Sequence, residues 1–228
     1  MSIGTLYTTD ALPYSSRIRA TAAFAGLKLD EAQGYVHYET NKTPEFRAKF
    51  ASGKIPAFET KDGFTLFEGS AIARYIASLA PNSGLLGTSP TDAALVDQWV
   101  SFIDSEFQSR GYTLVSLCRG SIPYNKPYET FLREKIHETL TVLNTHLTYN
   151  TFLLPTNRIS LADITLASVL QKAAEVLLGA KERAQYPAIF RHFETVVNQP
   201  VLKDVFGATK YAEESVKFVP PKKEKPAA

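Results

Sequence analysis

GKIPAFETKDGFTLFEGSAIARYIASLA, residues 53–80, is the stretch that decides the fold. PAFET and FTLFE are short apolar runs on either side of Lys61-Asp62-Gly63, a turn tripeptide that predicts a hairpin. SAIARYIASLA then places Ile72, Tyr75, Ile76 and Leu79 on one stripe at helical spacing. Upstream, Ile3–Tyr7 reads as a strand stopped by TTD. RIRATAAFAG reads as a helix, with Ile18, Ala22 and Ala25 in phase and Gly26 at the C-cap. QGYVHY (33–38) is the next strand candidate. TPEFRAKF follows, where Thr43 can cap and Pro44 can fill the first helical position. The order β-α-β-α-β-β-α within residues 1–80 predicts a small α/β sandwich.

Downstream, PNSGLLGTSPTD is rich in turn residues and marks residues 81–91 as a linker. Residues 92–208 carry helical patterns only, over about 92–112, 127–147, 161–179 and 188–196, with a short helix near 200–206. Ser160-Leu161-Ala162-Asp163 predicts a reciprocal capping box, with Ile159 and Ile164 at staple positions. Residues 209–228 form a Lys/Pro-rich tail whose end, KFVPPKKEKPAA, reads as a solvated extension or linker.

The whole chain has 228 residues, 44% of them hydrophobic and 21% charged, which excludes a disordered or fibrous protein. Its net charge of +2 is uneven. The last 12 residues carry +3 and the remaining 216 carry −1, so the body has no nucleic-acid footprint. No apolar run approaches the roughly 18 residues of a membrane span. The single cysteine, Cys118, and an N-terminus without a signal pattern predict a cytoplasmic protein. Dinucleotide, P-loop, nucleophile-elbow and zinc-protease motifs are absent. The four histidines are scattered, so no metal is expected.

Two adjoining patches remain. Pro56 opens a strand, a natural place for a cis bond. Such a bond would present the Ile55 N–H and C=O to an extended peptide ligand. An ordinary edge-strand proline is the alternative. At Phe67-Glu68-Gly69-Ser70 a strand runs into a helix, whose first N–H groups can hold a carboxylate while Glu68 holds an ammonium. Here the alternative is that Glu68 and Ser70 only cap the helix.

Taken together, KIPAFE, FEGSAI and SLAD, in that order, resemble the cytosolic glutathione transferases. That resemblance implies a thioredoxin-like α/β N-terminal domain followed by an all-α C-terminal domain. Within the superfamily the chain resembles the N-terminal regions of the elongation factor 1B gamma family, notably in GTLYT (4–8), TPEFRAKFASGKIPAFE (43–59), QWVSFIDSE (98–106) and TFLLPTNRISLADIT (151–165).

The resemblance implies a glutathione site. Ile55 would pair with the cysteinyl main chain and Pro56 would be cis. Glu68 would meet the γ-glutamyl ammonium, Lys54 would face the glycyl carboxylate and Lys42 would assist. Gly69 stands where the family usually has serine, leaving its backbone N–H, with the Ser70 hydroxyl next to it. The thiol-activating serine position falls on Ala11 or Leu12, neither of which has a donor, and Tyr7 becomes the catalytic candidate. Phe107, Tyr112 and Tyr124 are candidates for an electrophile pocket. The function expected is transfer of glutathione, as co-substrate, to small hydrophobic electrophiles by a homodimer. The alternative is a non-catalytic interaction module that joins other elongation factor 1B subunits in translation.

Overall fold

The computed structural model describes residues 1–10 and 12–220. A four-stranded sheet, ordered β2-β1-β3-β4, is built from β1 (Ser2–Tyr7), β2 (Lys28–Glu31), β3 (Ala57–Thr60) and β4 (Thr65–Phe67). β1 runs parallel to β2 and antiparallel to β3, and β3 and β4 form the expected hairpin. Because side chains alternate across a strand, Leu6 and Phe58 enter the main core while Tyr7 and Ala57 face the opposite side. α1 (Pro13–Phe24) and α3 (Gly69–Ser78) cover the first face, burying Ile18, Ile72 and Ile76. The second face is covered by α2 (Pro44–Lys49), whose Thr43 cap accepts from Phe46 N as expected.

The second strand is not where the aromatic run suggested. QGYVHY is a turn: Gly34 and Tyr38 each have φ 71°. Thr40 Oγ1 accepts from Val36 N, and Thr40 N donates back to Val36 O, both at 2.9 Å. β2 is instead Lys28–Glu31, an edge strand that needs little apolar character. Leu79 also leaves its expected stripe. It is 42% exposed, and Ala73 and Ala77 bury beside Ile72 and Ile76 instead.

The second half is helical. α4 (Pro90–Phe102) passes through a π turn (Ile103–Gln108) into α5 (Ser109–Cys118) without a break. α6 (Lys126–Tyr149), α7 (Leu161–Val176), α8 (Ala180–Ala184), α9 (Pro187–Val197) and α10 (Lys203–Phe206) complete it. α7 is buried along most of its length and packs against α1, so the two halves share one hydrophobic core. The predicted capping box nucleates α7, and the Asp163 carboxylate also accepts from Leu153 N at 2.8 Å and meets His192 Nε2 at 2.8 Å.

The segment after α10 is docked on the helical half up to Phe218, the second residue of the stretch read as solvated. Ala212 N donates to Ala174 O, and Val216 N donates to Val176 O. Arg183 reaches Ala212 O at 2.5 Å and Arg133 reaches Val216 O at 2.7 Å. Phe218 stacks on Tyr124 with centroids 3.7 Å apart. Residues 221–228 of the tail lie outside the described residues.

Candidate ligand cleft

Sheet register brings three segments to one end of the sheet. Ala57 pairs with Tyr7 on one side and with Phe67 on the other. Pro56 is therefore flanked by the chain leaving β1 and by Glu68 at the start of α3. The Ile55-Pro56 bond is cis. Among the described residues the Ile55 N–H and C=O have no hydrogen-bond partner. Asn41 fixes the loop beneath them: its side chain accepts from Tyr38 N at 2.7 Å and donates to Gly53 O at 2.9 Å. Since Lys42 follows Asn41 and Lys54 follows Gly53, this bond holds two exposed lysines beside the cis proline.

Glu68 has φ 75° and ψ 117°, a sparsely populated conformation for a residue with a side chain. Its side chain is exposed and makes no capping bond, so the helix-cap alternative does not hold for it. A rare backbone conformation held at a cleft is a mark of a functional position. The first amide groups of α3 are open beside it, because the first α-helical bond is Ile72 N to Glu68 O.

Ser70 does not offer its hydroxyl to the cleft. Its Oγ accepts from Arg17 Nη1 at 2.7 Å and donates to Asp104 Oδ2. Arg17, fully buried, also meets Asp104 at 2.5 and 3.0 Å and Gln108 Oε1 at 3.1 Å. Asp104 and Gln108 come from the π turn, so this network joins the two halves directly under α3. Gly69 is equally constrained. A Cβ added to it would lie 2.5 Å from Tyr14 Cδ1 and 2.8 Å from Tyr14 Cβ and Cγ.

Tyr7 points away from thiol chemistry. It belongs to the aromatic cluster with Tyr35, Phe46 and Phe50 under α2, and its hydroxyl donates to Glu59 Oε2 at 3.1 Å. Burial, then the Glu59 hydrogen bond and charge, push its phenol above the ordinary tyrosine range, with Lys49 opposing. Of the hydroxyls that follow β1, Thr8 is bonded to Ser15 at 2.5 Å, and Ser15 donates to the Thr9 carbonyl at 2.6 Å. Leu12 is the residue before α1 and supplies no side-chain cap, while Ala11 lies outside the described residues.

Phe107, Tyr112 and Tyr124 do not form a pocket wall together. Phe107 is core at 1% exposure, Tyr112 stands out at 75%, and Tyr124 is held by Phe218 and by its bond to Glu129 Oε2 at 2.6 Å. One helix supplied two of these residues, but helical periodicity sends them to opposite environments.

Comparison with known proteins agrees with this geometry. Residues 2–78 match the glutathione S-transferase N-terminal domain family, and residues 98–200 match the glutathione S-transferase C-terminal domain family. The chain belongs to the glutathione transferase superfamily. Within it, the chain is 37% identical over 237 residues to elongation factor 1-gamma of Carassius auratus, covering 100% of this chain and 52% of that protein. Identity to elongation factor 1-gamma of Homo sapiens is also 37%, over 221 residues, covering 96% and 49%. The chain thus spans about half the length of these curated relatives. It also superposes on the crystal structure of the GST-like domain of elongation factor 1-gamma from Saccharomyces cerevisiae, with a TM-score of 0.80 and 28% identity, covering 97% of this chain and 100% of that one.

In this fold the cis Ile55-Pro56 bond and the positive-φ Glu68 stand side by side at one end of the sheet. Sequence reasoning missed Asn41, Arg17, Asp104 and Gln108, and placed Tyr14 only among the hydroxyls near the first helix. Only Gly69 pointed toward them, as the place where a family serine is missing.

Proposed function

We propose that this chain is a transferase-like interaction module of the elongation factor 1-gamma kind, which joins other elongation factor 1B subunits in the cytoplasm. The observation that carries this reading is the similarity to elongation factor 1-gamma along the whole chain, including the docked residues 211–218 that lie beyond the two matched transferase domains. The test is size-exclusion chromatography of the purified chain mixed with a recombinant nucleotide-exchange subunit of elongation factor 1B. Co-elution in a fixed ratio is expected. Separate elution across micromolar concentrations sinks the reading.

A second reading, binding and slow transfer of glutathione by a homodimer, is favoured by the unpaired Ile55 main chain beside the uncapped Glu68. Lys42, Lys54, Ile55, Pro56, Glu68 and the Gly69 N–H are the residues that would hold glutathione. Glu68 would meet the ammonium, Ile55 the cysteinyl main chain, and the lysines the glycyl carboxylate. The hydroxyls of Tyr7, Thr8, Ser15 and Ser70 are bonded to other partners, so none of these four is free to engage the thiol. The positive end of the α1 dipole would favour a thiolate weakly. Calorimetric titration with glutathione, then turnover with a chloronitrobenzene, tests this reading: binding with slow turnover is expected, and no heat of binding removes it.

A further inference from the structure

The loss of the serine at position 69 has a physical cause in this chain. The Tyr14 side chain lies across Gly69, and any β-carbon there would meet its Cβ and the ring carbons Cγ and Cδ1 at 2.8 Å or less. Turning the ring does not relieve the clash, because the Tyr14 Cβ is fixed to the α1 backbone. The Arg17 guanidinium lies over the ring, 5.1 Å from its centroid, and Arg17 is fixed by its bonds to Ser70, Asp104 and Gln108. Glycine at 69 and tyrosine at 14 are thus one device made of two residues. Tyr14 is only half-buried, and its hydroxyl makes no hydrogen bond among the described residues. Its side chain lies directly against Gly69, the first residue of α3.

We propose that Tyr14 is a ligand-binding and specificity-determining residue, whose hydroxyl donates to the α-carboxylate of a γ-glutamyl ligand end in place of the missing serine. This rests on the reading that the cleft holds glutathione. The bound α-amino acid end would then meet Glu68 through its ammonium, and the α3 amides and Tyr14 through its carboxylate. Burial first, and then the Asp104 carboxylate, push the Tyr14 phenol above its ordinary range despite Arg17, so it remains a proton donor through neutral pH. A phenol reaches further from its backbone than a serine hydroxyl, so the carboxylate is gripped from the α1 side of the cleft. The geometry therefore also demands glycine at 69.

The test pairs protein and ligand changes. Glutathione and its analogue lacking the γ-glutamyl α-carboxylate, 4-aminobutyryl-cysteinyl-glycine, are titrated calorimetrically into the wild type, Tyr14→Phe and Glu68→Gln. The wild type should prefer glutathione by about tenfold or more, the scale of a hydrogen bond to a charged group. Tyr14→Phe should lose most of that preference with its melting temperature unchanged, an effect that loss of packing alone does not produce. Full preference in Tyr14→Phe, with Glu68→Gln weakened, overturns the role of Tyr14 and leaves the glutathione reading standing. No glutathione binding by the wild type overturns both. As a check independent of Tyr14→Phe, Gly69→Ser should bind worse than the wild type, and Tyr14→Gly/Gly69→Ser, which removes all three clashing atoms, should bind better than Gly69→Ser. Equal binding by those two variants overturns the steric pairing.

Discussion

The guanidinium of Arg17, on α1, and the carboxylate of Asp104, on the π turn, meet at 2.5 and 3.0 Å across the seam between the α/β and helical halves. Arg17 is fully buried and the Asp104 side chain is 21% exposed. Removing one partner of such a pair strands a charge where water cannot reach it. Asp104→Ala is expected to cost about 3–5 kcal/mol. Arg17→Met/Asp104→Leu should recover most of that loss, because it removes both charges and keeps the volume. Urea unfolding of the three proteins checks this, and a double variant no better than Asp104→Ala would refute it.

Glu68 separates binding from stability. Glu68→Gln should weaken glutathione binding about tenfold or more while leaving α3 intact, since the side chain does not cap the helix. Glu68→Gly releases the φ 75° backbone strain and should raise stability by about 1 kcal/mol while abolishing the ammonium contact proposed for Glu68. Thermal melting and titration, run side by side, read the two effects.

Tyr7 should be structural. Tyr7→Phe loses one partly buried hydrogen bond to Glu59, worth about 1 kcal/mol, and keeps Lys49 paired with Glu59 at 2.8 Å. Any glutathione turnover should remain within about twofold of wild type. A hundredfold fall in a folded Tyr7→Phe protein would restore Tyr7 as the thiol activator.

Acid should loosen the C-terminal end of the chain. Burial raises the Glu129 carboxyl, but the hydrogen bonds from Tyr124, Arg133 and Lys126 outweigh it and bring the pKa down to about 2. The unfolded chain takes up this proton near the ordinary Glu value, about 4.3. The stabilisation is therefore full above that value and is lost as pH falls through about 2. Glu129→Gln should cost on the order of 1–3 kcal/mol at pH 7, and the gap from wild type should narrow steadily below about pH 4. Denaturant midpoints measured from pH 7 to pH 2 check the sign. A gap that widens in acid contradicts it.

What was legible in the sequence was local. The hairpin, α3 and the Ser160–Asp163 capping box are each specified within a few residues, and all three stand where turn chemistry and periodicity put them. QGYVHY misled because aromatic residues mark strands, whereas here Tyr35 packs edge-on against Tyr7 and His37 lies against Tyr38. The interdomain seam left no local mark: Arg17 and Asp104 are 87 positions apart, and each resembles a surface charge. The missing serine at 69 was visible, but the ring that excludes it was not, because Tyr14 reaches Gly69 only through the packing of α1 on α3.

The docked end of the chain changes where an attached partner would begin to roam. A label or fused domain joined at Val219 does not start its tether at Phe206, where α10 ends. It starts at the Tyr124–Phe218 stack, beside the beginning of α6. Eleven residues from Ala208 to Phe218, which would span up to about 36 Å if extended, are withdrawn from the free linker and laid along the helical half. The cargo therefore samples a smaller volume, centred on one side of the molecule. Phe218→Ala would lengthen the tether without adding a residue.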